Sequence, residues 1–154
     1  MNRPKNPYSL SFGIRPFELI ERPVQAGEII EAFCQEPSAQ RTYMITGVRG
    51  IGKTVLMTEL SARFQEMDDW TVIALSPETD MIHSLAAKLA GIRRFAEIFR
   101  SAKINLSLLG MGAEIPSEPP ITDDEVAVTR MMKSIQTHGG RVLITVDEVT
   151  NNEY

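Results

Sequence analysis

The stretch "GVRGIGKT", Gly47 to Thr54, limits what this chain can fold into more than any other part of it. It follows the β-rich run "RTYMIT" and precedes "VLMTELSARFQEM", in which Leu56, Leu60, Phe64 and Met67 recur every three or four residues, as on a helix with one buried face. Glycine adopts backbone angles closed to other residues, so Gly47, Gly50 and Gly52 let a strand turn sharply into a helix. Such a turn aims successive backbone N–H groups at one point. The helix start adds partial positive charge there, which suits an anion, and bulky side chains would block its approach.

The spacing G-x-x-x-x-G-K-[ST] is that of a phosphate-binding loop, and a strand before it and a helix after it are the context that mechanism requires. On this reading Gly47, Val48, Arg49, Gly50, Ile51, Gly52, Lys53, Thr54 and Val55 form the nucleotide-binding segment. Lys53 reaches the β- and γ-phosphates, and the Thr54 hydroxyl ligates Mg²⁺. A second candidate lies in "RVLITVDE", an apolar run that reads as a buried strand. Asp147 at its tip is the candidate metal residue, and Glu148 is the candidate general base for water. An apolar strand ending in Asp-Glu is common by itself; its weight comes from sharing a chain with the loop.

"GVRGIGKT" and "VDE", with the order of strands and helices between them, resemble the P-loop NTPases. Within these the chain is similar to the AAA+ and STAND-like ATPases, whose metal-binding Asp (Walker B) is followed by a catalytic Glu. The resemblance implies an α/β fold: a parallel sheet with helices on both faces and the ligand at the C-terminal ends of the strands. It implies ATP and Mg²⁺ as cofactors, with Lys53 and Glu148 as catalytic residues and Thr54 and Asp147 on the metal. Upstream, "IERPVQAGEII" looks like the segment lying over adenine in such proteins, which makes Ile20 to Pro23 the candidate base contact. A GTPase pattern is not met. Position 150 is Thr where Asp-x-x-Gly would need Gly, and no Asn-Lys-x-Asp occurs.

The remaining chain is read around these motifs. Residues 1–24 form an N-terminal arm, and residues 25–154 an incomplete P-loop domain with an insertion at about 100–120. A helix is expected from Val24 to Pro37, a strand at Arg41 to Thr46 and another at Trp70 to Ser76. Ser76 is expected to cap a helix, with Pro77 at its first position, that runs to Ala90. "INLSLLGMGAEI" (Ile104 to Ile115) predicts a β-hairpin. Thr122 and Glu125 predict a capping box at the start of a helix that gives out at Gly139 and Gly140. Arg93, Arg94, Arg100 and Lys103 could contact nucleic acid, but a solvated helix face is preferred, because Phe95 and Phe99 at i, i+4 look like a buried stripe. His83 and His138 lack ligand spacing and read as structural.

A net charge of −4 argues against a surface that coats nucleic acid. One cysteine, Cys34, allows no internal disulfide. With no signal-like or membrane-spanning run, the sequence reads as cytoplasmic, with no membrane partner. The chain ends seven residues after Asp147. In the ATPases it resembles, the next strand inserts between the loop strand and the metal strand and carries a polar sensor; an arginine finger and a helical lid follow. The resemblance therefore implies an N-terminal portion of a longer ATPase, truncated after the Walker B strand, with weak or no turnover alone and with self-association or another protein partner. The alternative is a nucleotide-dependent switch without significant hydrolysis.

Overall fold

The computed structural model describes residues 23–36, 41–77, 79–107, 110 and 118–148. Among them the chain is mixed α/β. Helices α1 (Pro23–Cys34) and α2 (Lys53–Gln65) come first, then strand β1 (Trp70–Leu75). Helices α3 (Met81–Ala90), α4 (Arg93–Ser101) and α5 (Asp124–Thr137) precede strand β2 (Arg141–Val146). Two compact units are distinguished, residues 1–63 and residues 64–154.

In the first unit Ala26 of α1 and Leu56 and Leu60 of α2 form a small apolar cluster, with Ile29, Ile30 and Ile45 packed against it. The expected strand Arg41 to Thr46 is not observed as one: residues 42–48 run without a ladder and lie outside the described sheet. Its β-forming residues are there, but a strand exists only through a ladder, and the described sheet offers this segment no partner.

In the second unit β1 and β2 pair in parallel, in a register running from Trp70 opposite Arg141 to Leu75 opposite Val146. Parallel neighbours need a long crossover, and α3, α4 and α5 lie within it. Ile73 and Leu75 alternate onto the face where Leu85, Leu89, Phe95, Phe99, Met131 and Ile135 bury the main core. Trp70 alternates to the other face and meets the Phe64 ring at 4.4 Å between centroids. Among the described residues the sheet is two-stranded, which is too small to show a P-loop fold.

Three local expectations are corrected. The α3 cap is Asp80, whose carboxylate accepts from the N–H groups of Ile82 and His83, and not Ser76 four residues earlier. The α5 cap is Asp123, accepting from Val126, and not Thr122. At α5 the aspartate is a better cap than the adjacent threonine, and at α3 the helix starts four residues later than Ser76 would place it. Of the expected hairpin, residues 104–106 form no strand and Ser107 sits in a 3₁₀ turn; most of the rest lies outside the described residues.

What takes the place of that first hairpin strand is a packed loop anchored on Asn105. This side chain is 2% exposed. Its amide donates to the Glu118 carbonyl at 2.9 Å, and its Oδ1 accepts from the N–H and hydroxyl of Ser107. Ile121 N–H closes the far end on the Asn105 carbonyl at 2.8 Å. Ile104, Leu106 and Ile121 enter the main core, so this part of the presumed insertion belongs to the body of the unit.

Candidate functional site

The glycines of the loop stand where only glycine is comfortable. Gly50 and Gly52 have φ of 85° and 92°, and Gly47 has φ of 150°. A Cβ built on Gly47 would also meet Ile51 Cγ2 at 2.9 Å, closer than real carbons approach. Ile51 N–H turns back to the Val48 carbonyl, and Leu56 N–H makes a helical bond to Gly52 O at 3.0 Å. Because α2 begins at Lys53, the loop ends on a helix N-terminus and its partial positive charge. Residues 47–51 are exposed, Gly52, Lys53 and Val55 are half-buried, and Thr54 is exposed.

The Lys53 ammonium folds over the start of its own loop. It donates to Gly47 O at 2.8 Å and to Val48 O at 3.2 Å. These bonds hold a cation directly above the glycine turn, and a phosphate oxygen could take the place of either carbonyl as acceptor. The Thr54 carbonyl accepts from Thr58 Oγ1, one turn further along α2.

In the second unit Asp147 follows the last residue of β2 and is half-buried, at the C-terminal end of both parallel strands. Glu148 is exposed and holds a left-handed φ of 55°, which carries a backbone cost for a residue other than glycine. Its N–H donates to Asp147 Oδ1 at 2.9 Å, so one acid fixes the backbone of the next. The loop residues are thus assembled in the first unit and the two acids in the second. Of the candidate base contact, residues 20–22 lie outside the described residues, and Pro23 opens α1.

The donor set suits a hard cation. Thr54 offers a hydroxyl and Asp147 a carboxylate, the oxygen ligands Mg²⁺ takes when phosphates complete its shell. Among the described residues no group of three or more His, Cys, Asp or Glu is arranged to enclose a metal.

Other singled-out residues have structural partners. His83 Nδ1 lies 2.9 Å from Asp124 Oδ2, tying the start of α3 to the start of α5, and His138 Nδ1 bonds to the Ser134 carbonyl. In the basic cluster, Arg94 donates to the Asp68 carbonyl and to Thr71 Oγ1, while Arg100 pairs with Glu97 and Lys103 with Glu118. Phe95 and Phe99 are buried, as the stripe predicts. A cleft of about 320 Å³ opens at the opposite, N-terminal end of the strands, lined among others by Asp68, Arg94, Phe95 and His138; it holds no residue of the two motifs. Asp80, Asp123 and Asn105 were missed as anchoring residues, although the "TDDE" run carried a signal for the α5 cap.

No helix among the described residues is long and apolar enough to cross a membrane. Comparison with protein-family models, with curated proteins and with solved structures returned no match.

Proposed function

We propose that this protein binds ATP through residues 47–55, with Mg²⁺ shared between the phosphates, Thr54 and Asp147, and that hydrolysis, where the site is complete, uses Glu148 as the base for water. The observation that carries this reading is the run of positive φ at the signature glycines, leading directly into a helix that starts at Lys53. Lys53, whose ammonium bonds the loop's own carbonyls, supports the reading as the cation that would turn onto a phosphate. Mg²⁺ would neutralise charge developing on the transferred phosphoryl group. The chain's own share is to cradle the phosphates with backbone N–H groups, to direct Lys53 onto them, and to orient Asp147 through the end of a strand. Adenine is preferred to guanine because position 150 is Thr where the Asp-x-x-Gly of GTPases would need Gly.

The test is calorimetric titration of the chain with ATP. Lys53→Ala removes a charge-assisted contact and should weaken binding by about 1.5–3 kcal/mol, roughly ten- to a hundredfold. An affinity unchanged by the substitution would remove the phosphate-loop assignment.

A further inference from the structure

Residues 42–46 read "TYMIT", nearly the same in both directions. The Tyr43 ring rests against Phe33 at 5.4 Å between centroids, and Ile45 packs on the Ala26–Leu56–Leu60 cluster. Met44 between them is 86% exposed. Tyr43 itself is 37% exposed and only leans on α1, so the contrast is between an outward Met44 and neighbours that touch the helices, as in a strand lying on a helical layer. Among the described residues, however, the backbone groups of Tyr43, Met44 and Ile45 enter neither the sheet nor a turn bond. An uncharged, β-forming segment whose backbone is open at Tyr43 and Ile45, with a bare methionine on its outer face, is built to receive another strand.

We propose that this strand is a second copy of the same segment, so that two chains pair antiparallel about a two-fold axis through Met44. The near-palindrome supplies the argument for the occupant. With the axis on Met44, Thr42 falls opposite Thr46 of the second copy, Tyr43 opposite Ile45, and Met44 opposite itself. Threonine–threonine and aromatic–β-branched pairs are favourable across antiparallel strands. Shifting the pairing by one residue would set a helix-facing side chain against an outward one. Shifting it by two to centre on Tyr43 would bring Arg41 against Ile45. Centring on Ile45 would leave Thr42 and Tyr43 outside the segment of the second copy and bring Arg41 against Arg49, whereas the central register pairs all five residues without charge and face to face.

Tyr43 and Ile45 present their N–H and C=O groups on one edge, and each pair exchanges two hydrogen bonds, giving four around the axis. Met44 then occupies the close, non-hydrogen-bonded position, where the two thioether side chains cover each other. The interface is isologous, as closed dimers require. The phosphate loops that begin at Gly47 leave from opposite ends of the ribbon, so this pairing does not depend on nucleotide.

Sedimentation of the full chain over a range of concentrations tests the proposal. Wild type should reach a dimer. Met44→Lys and Met44→Glu each put like charges face to face on the axis and should raise the dissociation constant at least about tenfold. An equal mixture of the two should restore association, because the charges then oppose one another. Circular dichroism of each variant controls for folding. With Cys34→Ser to remove the native thiol, Met44→Cys should cross-link as a dimer on mild oxidation, since Cα atoms about 4.5 Å apart lie within disulfide reach. A wild-type chain that stays monomeric at the highest concentration would overturn the proposal. So would a dimer indifferent to both charge variants, or folded variants whose mixture fails to reassociate.

Discussion

Asp147 and Asn105 show how much a single polar side chain can be asked to do. The Asp147 carboxylate already fixes the Glu148 N–H, and on the proposed reading it also faces the cation. Asp147→Ala should therefore weaken Mg-ATP binding more than metal-free ATP binding, which titrations with and without a chelator would compare. Equal losses in the two conditions would count against a role through the metal. Asn105 is a stability residue. Alanine there would leave the Glu118 carbonyl and the Ser107 hydroxyl without this partner in a partly buried setting, at a cost of about 1–2 kcal/mol in denaturant unfolding. Neither role was legible from residue type alone. "VDE" was visible because a motif elsewhere gave it meaning, whereas an asparagine in an apolar-and-glycine stretch gives no sign of which carbonyl, thirteen residues away, it will reach.

At the scale of elements, periodicity located α1, α2, β1, α5 and β2 to within a few residues, and the helix ends show where that reading loses resolution. In "TDDEVAV" the hydroxyl of Thr122 and the carboxylate of Asp123 both lie near the first turn of α5, and the structure gives the bond to Asp123. Asp123→Ala should then cost about 1 kcal/mol in thermal or denaturant unfolding, while Thr122→Ala should stay within roughly 0.5 kcal/mol. The opposite ranking would return the cap to Thr122. The expected strand at Arg41 to Thr46 failed for a different reason. Strand propensity describes how well residues suit a pleated surface, but hydrogen bonds to a neighbour decide whether a strand forms, and a sequence window does not contain the neighbour.

The whole molecule divides into parts of unequal core. Among the described residues the main cluster of the second unit draws on β1, α3, α4, the Asn105 loop and α5, while that of the first rests on three buried side chains from α1 and α2. Less buried apolar area means a smaller free energy of local opening. Amide hydrogen exchange should accordingly be faster in α1 than in α5 and β2, and uniform protection across these elements would show that the chain opens as one cooperative body. The sequence by itself determined the glycine loop, the helix that follows it, the positions of the two strands and the acids at the tip of the second, because backbone permissiveness and hydrophobic period are local properties; it overstated the strands' burial, since Leu143 is the buried residue of β2 and Ile144 is exposed. The tertiary structure decided which strands pair, which of two neighbouring groups caps a helix, and that residues 104–106 pack into the core instead of forming a hairpin strand. Those outcomes depend on partners distant along the chain, and hydrogen bonding and burial are satisfied only when the partners meet.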